Sequence, residues 1–189
     1  MKALIIVDMQ NDFIDGALGT PEAQAVVPNV VNKLKAHQYT DTIILFTKDT
    51  HYDDYLDTPE GKKLPVKHCL MGTPGWSIAK PIHDEFKNEG YATYSSGSVV
   101  KGRILKNTFG SYNLINTLDN ISCSNEIDEI ELCGVCTDIC VISNALMVKN
   151  AFPEAKVIVD ASCCAGVTPE KHAAALEVMK SCQIDVIGE

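Results

Sequence analysis

Two segments near the start of the chain, KALIIVD (residues 2–8) and TIILFTK (42–48), are apolar without interruption and then stop at a polar or charged side chain. A strand with one face in water alternates apolar and polar residues, because successive side chains point to opposite faces. An unbroken apolar run of this length instead fits a strand covered on both sides, as in parallel sheets. Further strands are read at EIDEIELCGV (126–135), AKVIVD (155–160) and IDVIG (184–188), with GRILK (102–106) as a shorter one. Segments with helical spacing lie between them. From Pro28 onward Val27, Val30, Val31 and Leu34 share a face, with Pro28 in the first turn. SYNLINTLDN (111–120) is read as a helix, and TDICVISNALMVKNAF (137–152) places Ile139, Ile142, Ala145 and Leu146 on one face. TPEKHAAALEVMKS (168–181) has Thr168 as N-cap and Pro169 at the first helical position. WSIAKPIHDEFKNEG (76–90) is part loop, part short helix. This alternation predicts an α/β fold: a six-stranded parallel sheet with helices on both faces, a Rossmann-like α/β/α sandwich. No linker or repeat divides the 189 residues, so residues 1–189 are read as a single domain.

Charge and patterning exclude several classes. The formal net charge is −9 with no basic cluster, which argues against a nucleic-acid partner. No apolar run approaches the ~20 residues that span a bilayer, so no membrane partner is expected. Asp8 ends the first apolar run too early for a signal peptide, and a cytoplasmic location is expected. There the eight cysteines are reduced thiols, most of them packing as small buried hydrophobes.

Ligands of parallel α/β sheets bind beyond the carboxyl ends of the strands. Asp8, Asp49, Lys106 and the loop GVCTDIC (134–140) all fall there. Cys140 would stand in the first turn of the helix after the fourth strand, where unpaired N–H groups and the positive end of the helix dipole favour a thiolate and could hold an oxyanion. Asp8 could accept the thiol proton and return it to a leaving amine, and Lys106 between them would stabilise both anions. The loop DTHYDDYLDTPEGKKLPVKH (49–68) brings Asp49, His51, Glu60 and His68 into one region. Two imidazoles and two carboxylates suit zinc, iron or manganese with open positions, although loop residues of these types are often merely solvated.

The motifs IIVDMQNDFIDG, TKDTH, LPVKHCLMGTPGW, LKNTFGSY, CGVCTDICV and TPEKHAAAL occur in that order along nearly the whole chain. Together they resemble the isochorismatase-like cysteine hydrolases, and within them the nicotinamidase and pyrazinamidase branch. GVCTDIC and DMQNDF are the most specific of the set. The resemblance implies a catalytic triad of Asp8, Lys106 and Cys140. It also implies a cis peptide between Val135 and Cys136, with the backbone N–H groups of Cys136 and Cys140 forming an oxyanion hole. Asp49, His51 and His68 fall on the branch's metal ligands, with Glu60 as the fourth, and zinc is the expected ion. Phe13 matches one aromatic wall of the substrate pocket. Pro65 stands where the branch commonly carries the other. The activity implied is hydrolysis of a small amide, nicotinamide first, through a thioester, by a homo-oligomeric enzyme. The alternatives are an amidase for another small amide such as a carbamoyl compound, an isochorismatase, and a non-enzymatic zinc or redox module on Cys133, Cys136 and Cys140.

Overall fold

All six expected strands pair in one parallel sheet in a computed structural model, which describes residues 1–37, 40–86, 101–123 and 126–189. They are β1 (Lys2–Val7), β2 (Ile43–Asp49), β3 (Lys101–Lys106), β4 (Glu129–Val135), β5 (Lys156–Ala165) and β6 (Asp185–Ile187), in the order β3-β2-β1-β4-β5-β6. The helices are α1 (Asn11–Ile14), α2 (Pro21–His37), α3 (Pro59–Lys63), α4 (Lys80–Phe86), α5 (Tyr112–Ser122), α6 (Ile142–Ala151) and α7 (Pro169–Ser181). Helix α2 packs with α4 and against β4 and β5, whereas α6 packs with α5 and α7. Every residue of β2 is buried, the polar Thr47, Lys48 and Asp49 included. Strand β3 alternates buried and half-buried residues because it lies at the sheet edge. No helix among the described residues is long and apolar enough to cross a membrane.

The strand order reverses direction between β1 and β4, which opens a crevice at their carboxyl ends. Backbone shape there is set by two residues. Asp8 adopts a φ of 49°, which turns the chain off the end of β1. Gly134 adopts 123°, and a Cβ added to it would sit 2.1 Å from the Val7 carbonyl oxygen. Only glycine lets β4 come this close to β1 beside the site.

Four expectations need correction. The first long helix begins at Pro21, not Pro28, with the Thr20 hydroxyl accepting the Ala23 N–H at 3.0 Å. Pro28 lies inside it, held by the buried stripe of Ala23, Val27, Val30 and Leu34. Strand β5 runs past Asp160 to Ala165, because Cys164 and Ala165 pair with Gly134 and Val135 after a register shift. The loop after β2 holds a 3-10 turn, Tyr55–Asp57, and the short α3, capped by Thr58 through the Gly61 N–H at 3.0 Å. The helix face of Ile139, Ile142, Ala145 and Leu146 is not the buried one. A π-helical turn, Thr137–Val141, precedes α6 and shifts its register. Val141, Asn144, Ala145 and Val148 face inward instead, and of the expected four only Ala145 is fully buried. Of the 76–90 segment, α4 is its helical part, and residues 87–90 lie outside the described residues.

Candidate active site and metal centre

Lys106, the last residue of β3, joins three groups from other strand ends. Its Nζ lies 2.6 Å from Asp8 Oδ2 and donates to Asp49 Oδ1 and Cys140 Sγ, each at 3.5 Å. Asp8, Lys106 and Cys140 are all buried. Asp8 Oδ1 accepts the Thr47 hydroxyl at 2.7 Å, while the Lys106 ammonium lies against Oδ2. Burial pushes the Asp8 carboxyl above its usual range, with Lys106 pulling the other way. Burial opposes charge on Lys106, but the neighbouring Asp8, Cys140 and Asp49 outweigh it and raise the ammonium well above its usual range.

Cys140 occupies the π-helical turn after β4, the helix start at which it was expected. Its surroundings work against the thiolate, however. Burial first, and then the Asp8 carboxylate, push the thiol well above its usual range against the pull of Lys106. A buried thiol beside a buried carboxylate whose proton affinity is also raised is an arrangement suited to proton transfer between them. The cis peptide at Val135–Cys136 is present. Cys136 is half-buried on the same cavity as Cys140, and burial pushes its thiol up to about 12. Cys133 is fully buried within β4.

Beside this group, Asp49, His51 and His68 bring one ligand atom each to within 4.8 Å of one another. Asp49 Oδ2 is 3.0 Å from His51 Nε2 and 3.4 Å from His68 Nε2. His68 Nδ1 donates to the Val66 carbonyl at 2.8 Å, which leaves Nε2 to face the cluster. Glu60 approaches from α3, with Oε1 3.7 Å from His51 Nε2 and 4.0 Å from His68 Nε2. Burial raises Asp49, but the bonds from His51 and His68 and the charge of Lys106 outweigh it and hold the carboxyl well below its usual range. Burial disfavours charge on His68, yet Asp49 and the Val66 carbonyl raise it overall. Two imidazole nitrogens and a carboxylate converging in a buried corner, with a second carboxylate at the rim, fit a divalent metal.

One cavity of about 290 Å³ joins the two groups, with Cys140 and Cys136 on one side and Asp49, Glu60 and His68 on the other. Phe13 forms part of its wall, its ring centroid 5.5 Å from that of His68. Pro65 is exposed and does not line it; Leu64 does, together with Phe109, Ile139 and Val167. These four escape sequence reading because three are exposed apolar residues without periodicity, and Ile139 reads as one position of an apolar helix face. Thr47 was missed as well, although a polar residue inside a fully apolar strand was a readable signal.

Comparison with known proteins bears on both fold and site. The chain is 29% identical over 198 residues to a nicotinamidase/pyrazinamidase of Mycobacterium tuberculosis, covering 99% of this chain and 98% of that protein. Among solved structures, pyrazinamidase/nicotinamidase from Streptococcus mutans superposes with a TM-score of 0.81 at 26% identity, over 99% of this chain and 100% of that one. The pyrazinamidase of Pyrococcus horikoshii, in complex with zinc, gives 0.76 at 26% identity over 100% and 99%. The profile of the Isochorismatase domain matches residues 2–188, and with that match over nearly its whole length this chain belongs to the isochorismatase family.

Proposed function

We propose that the protein hydrolyses a small aromatic carboxamide, nicotinamide first, to the carboxylic acid and ammonia through a thioester on Cys140. One observation carries this reading: the Asp8–Lys106–Cys140 group and the Asp49–His51–His68 group share Lys106 and open on one ring-sized cavity. Asp8 Oδ2 takes the thiol proton as Sγ attacks the carboxamide carbon. The oxyanion is held by the backbone N–H groups of Cys136 and Cys140. Asp8 returns the proton to the departing nitrogen, and ammonia leaves as the C–S thioester forms. Asp8 then takes a proton from water, whose oxygen adds to the thioester carbon, and the C–S bond breaks as Asp8 returns that proton to Sγ, which releases the acid and restores the thiol. Lys106 keeps Asp8 and the developing thiolate together throughout. Asp49, His51, Glu60 and His68 would hold one divalent ion, zinc by preference; when bound it supplies a Lewis-acidic anchor for a ring nitrogen. Phe13 and the apolar walls orient the ring. A cytoplasmic setting suits the eight cysteines held as free thiols.

The relatives named nicotinamidase support this substrate, whereas the alkyl side chains of Leu64, Ile139 and Val167 on the cavity, with Pro65 outside it, would also fit a carbamoyl compound. Ammonia release from nicotinamide, pyrazinamide, a carbamoyl amino acid and isochorismate decides. Turnover of either ring amide with Cys140→Ala inactive is the expected outcome. Activity only on the carbamoyl compound moves the substrate class, and activity only on isochorismate overturns the reading.

A further inference from the structure

Segment 8–13 does more than supply Asp8 and Phe13. Gln10 is completely buried, and both polar atoms of its side-chain amide are hydrogen-bonded. Its Oε1 accepts the Asp49 N–H at 2.7 Å, and its Nε2 donates to the Asp49 carbonyl and to the Trp76 carbonyl, both at 2.9 Å. One side chain therefore grips the Asp49 peptide on both sides, a contact made across 39 residues of chain. Two residues on, Asp12 Oδ2 accepts the Cys69 N–H at 2.7 Å. Cys69 is buried, adjoins His68 and adopts a φ of 46°, a left-handed conformation costly for a side chain of this kind. Its carbonyl in turn accepts the His51 N–H at 3.0 Å. Gly75 makes room for this carboxylate: a Cβ there would lie 2.1 Å from Asp12 Oδ2.

We propose that Gln10 and Asp12 are positioning residues for the metal centre, Gln10 fixing Asp49 and Asp12 fixing, through Cys69, the spacing between His51 and His68. The inference rests on the metal reading above. Neither side chain touches the ligand atoms. Each holds the backbone that aims them, and a metal site depends on such outer contacts nearly as strongly as on its ligands. Because Asp8 begins the same segment, the thiol's base and the metal cradle hang from one short piece of chain.

The test is zinc affinity, measured by competition with a chromophoric chelator, alongside the melting temperature of the metal-free proteins. Gln10→Leu and Asp12→Ala are expected to weaken zinc about 10–100-fold. Asp12→Asn keeps an acceptor for the Cys69 N–H and is expected to stay within about threefold of the parent. In the metal-free state, alkylation of Cys140 by iodoacetamide should proceed in Gln10→Leu and Asp12→Ala as in the parent, which separates loss of the cradle from general loosening. Should Gln10→Leu fail to fold, Gln10→Glu serves: it still accepts from the Asp49 N–H but cannot donate to the two carbonyls, so its affinity should also fall. Folded Gln10 and Asp12 variants that bind zinc as tightly as the parent overturn the inference alone. A parent that binds no zinc overturns it together with the metal reading.

Discussion

Asp8 and Cys140 are both buried against Lys106, and burial together with the Asp8 carboxylate raises the Cys140 thiol, so that thiol is not a reactive anion waiting for substrate. Activation must come from a proton moving between them, and mutation should expose that dependence. Cys140→Ala is expected to reduce ammonia release to background with the fold intact, while Cys136→Ala, which keeps its N–H, changes kcat/KM by no more than about threefold. Asp8→Asn removes the proton acceptor and should cost about 10²–10⁴ in kcat/KM; a loss under about tenfold is too small for the role. Thr47→Val gives a subtler readout. The Thr47 hydroxyl bond lowers the Asp8 pKa, so removing it raises that pKa. Asp8 works as a base only when ionised, and the acidic limb of the pH–rate profile should therefore move to higher pH.

Helix α2 is tied to the sheet by an ion cluster distant from the chemistry. Lys33 pairs with Glu131 on β4 and, at 2.7 Å, with Asp160 on β5, and all three side chains are at most 13% exposed. Lys33→Ala strands two carboxylates and is expected to cost about 3 kcal/mol in urea unfolding at neutral pH. Burial alone would raise Asp160, but its bonds to Lys33 and Ser162 outweigh that and hold the carboxyl below its ordinary value. A group lowered in this way stabilises above its unfolded pKa, near ~3.9, and loses that contribution as pH falls further. The gap between parent and Lys33→Ala should thus narrow below about pH 4. At the β1–β4 seam, Gly134→Ala must accommodate both a positive φ and a Cβ driven into the Val7 backbone. A loss of at least about 2 kcal/mol is expected, with activity falling alongside because the seam carries Asp8 on one strand and the Cys140 turn on the other.

In the whole molecule, the metal cradle exists only when β2, the loop behind it and α3 are all in place. An ion that binds the folded chain alone at about a hundred times its Kd adds about 2.7 kcal/mol, which in a chain of this size raises Tm by roughly 5–10 °C. Zinc should produce that rise and a chelator reverse it; an unmoved Tm counts against the site. The sequence by itself determined the presence of the six strands, the burial of β1 and β2 on both faces and the chemical inventory, because unbroken apolar runs, caps and strand-end residues are local features that survive in any context. It also carried, through its motifs, the set of Asp8, Lys106, Cys140, Asp49, His51, Glu60 and His68. Only the tertiary structure decided where these meet. Lys106 reaches Asp49 across 57 residues because β3 pairs with β2, and no local pattern encodes that neighbour. The same non-local packing put Leu64 and not Pro65 into the cavity, rotated α6 through a π-helical turn, and withdrew Cys140 from water, which raises its thiol. Burial is a sum over neighbours distant in the chain, and so the acidity of a site residue is settled by the fold even where its identity is plain in the sequence.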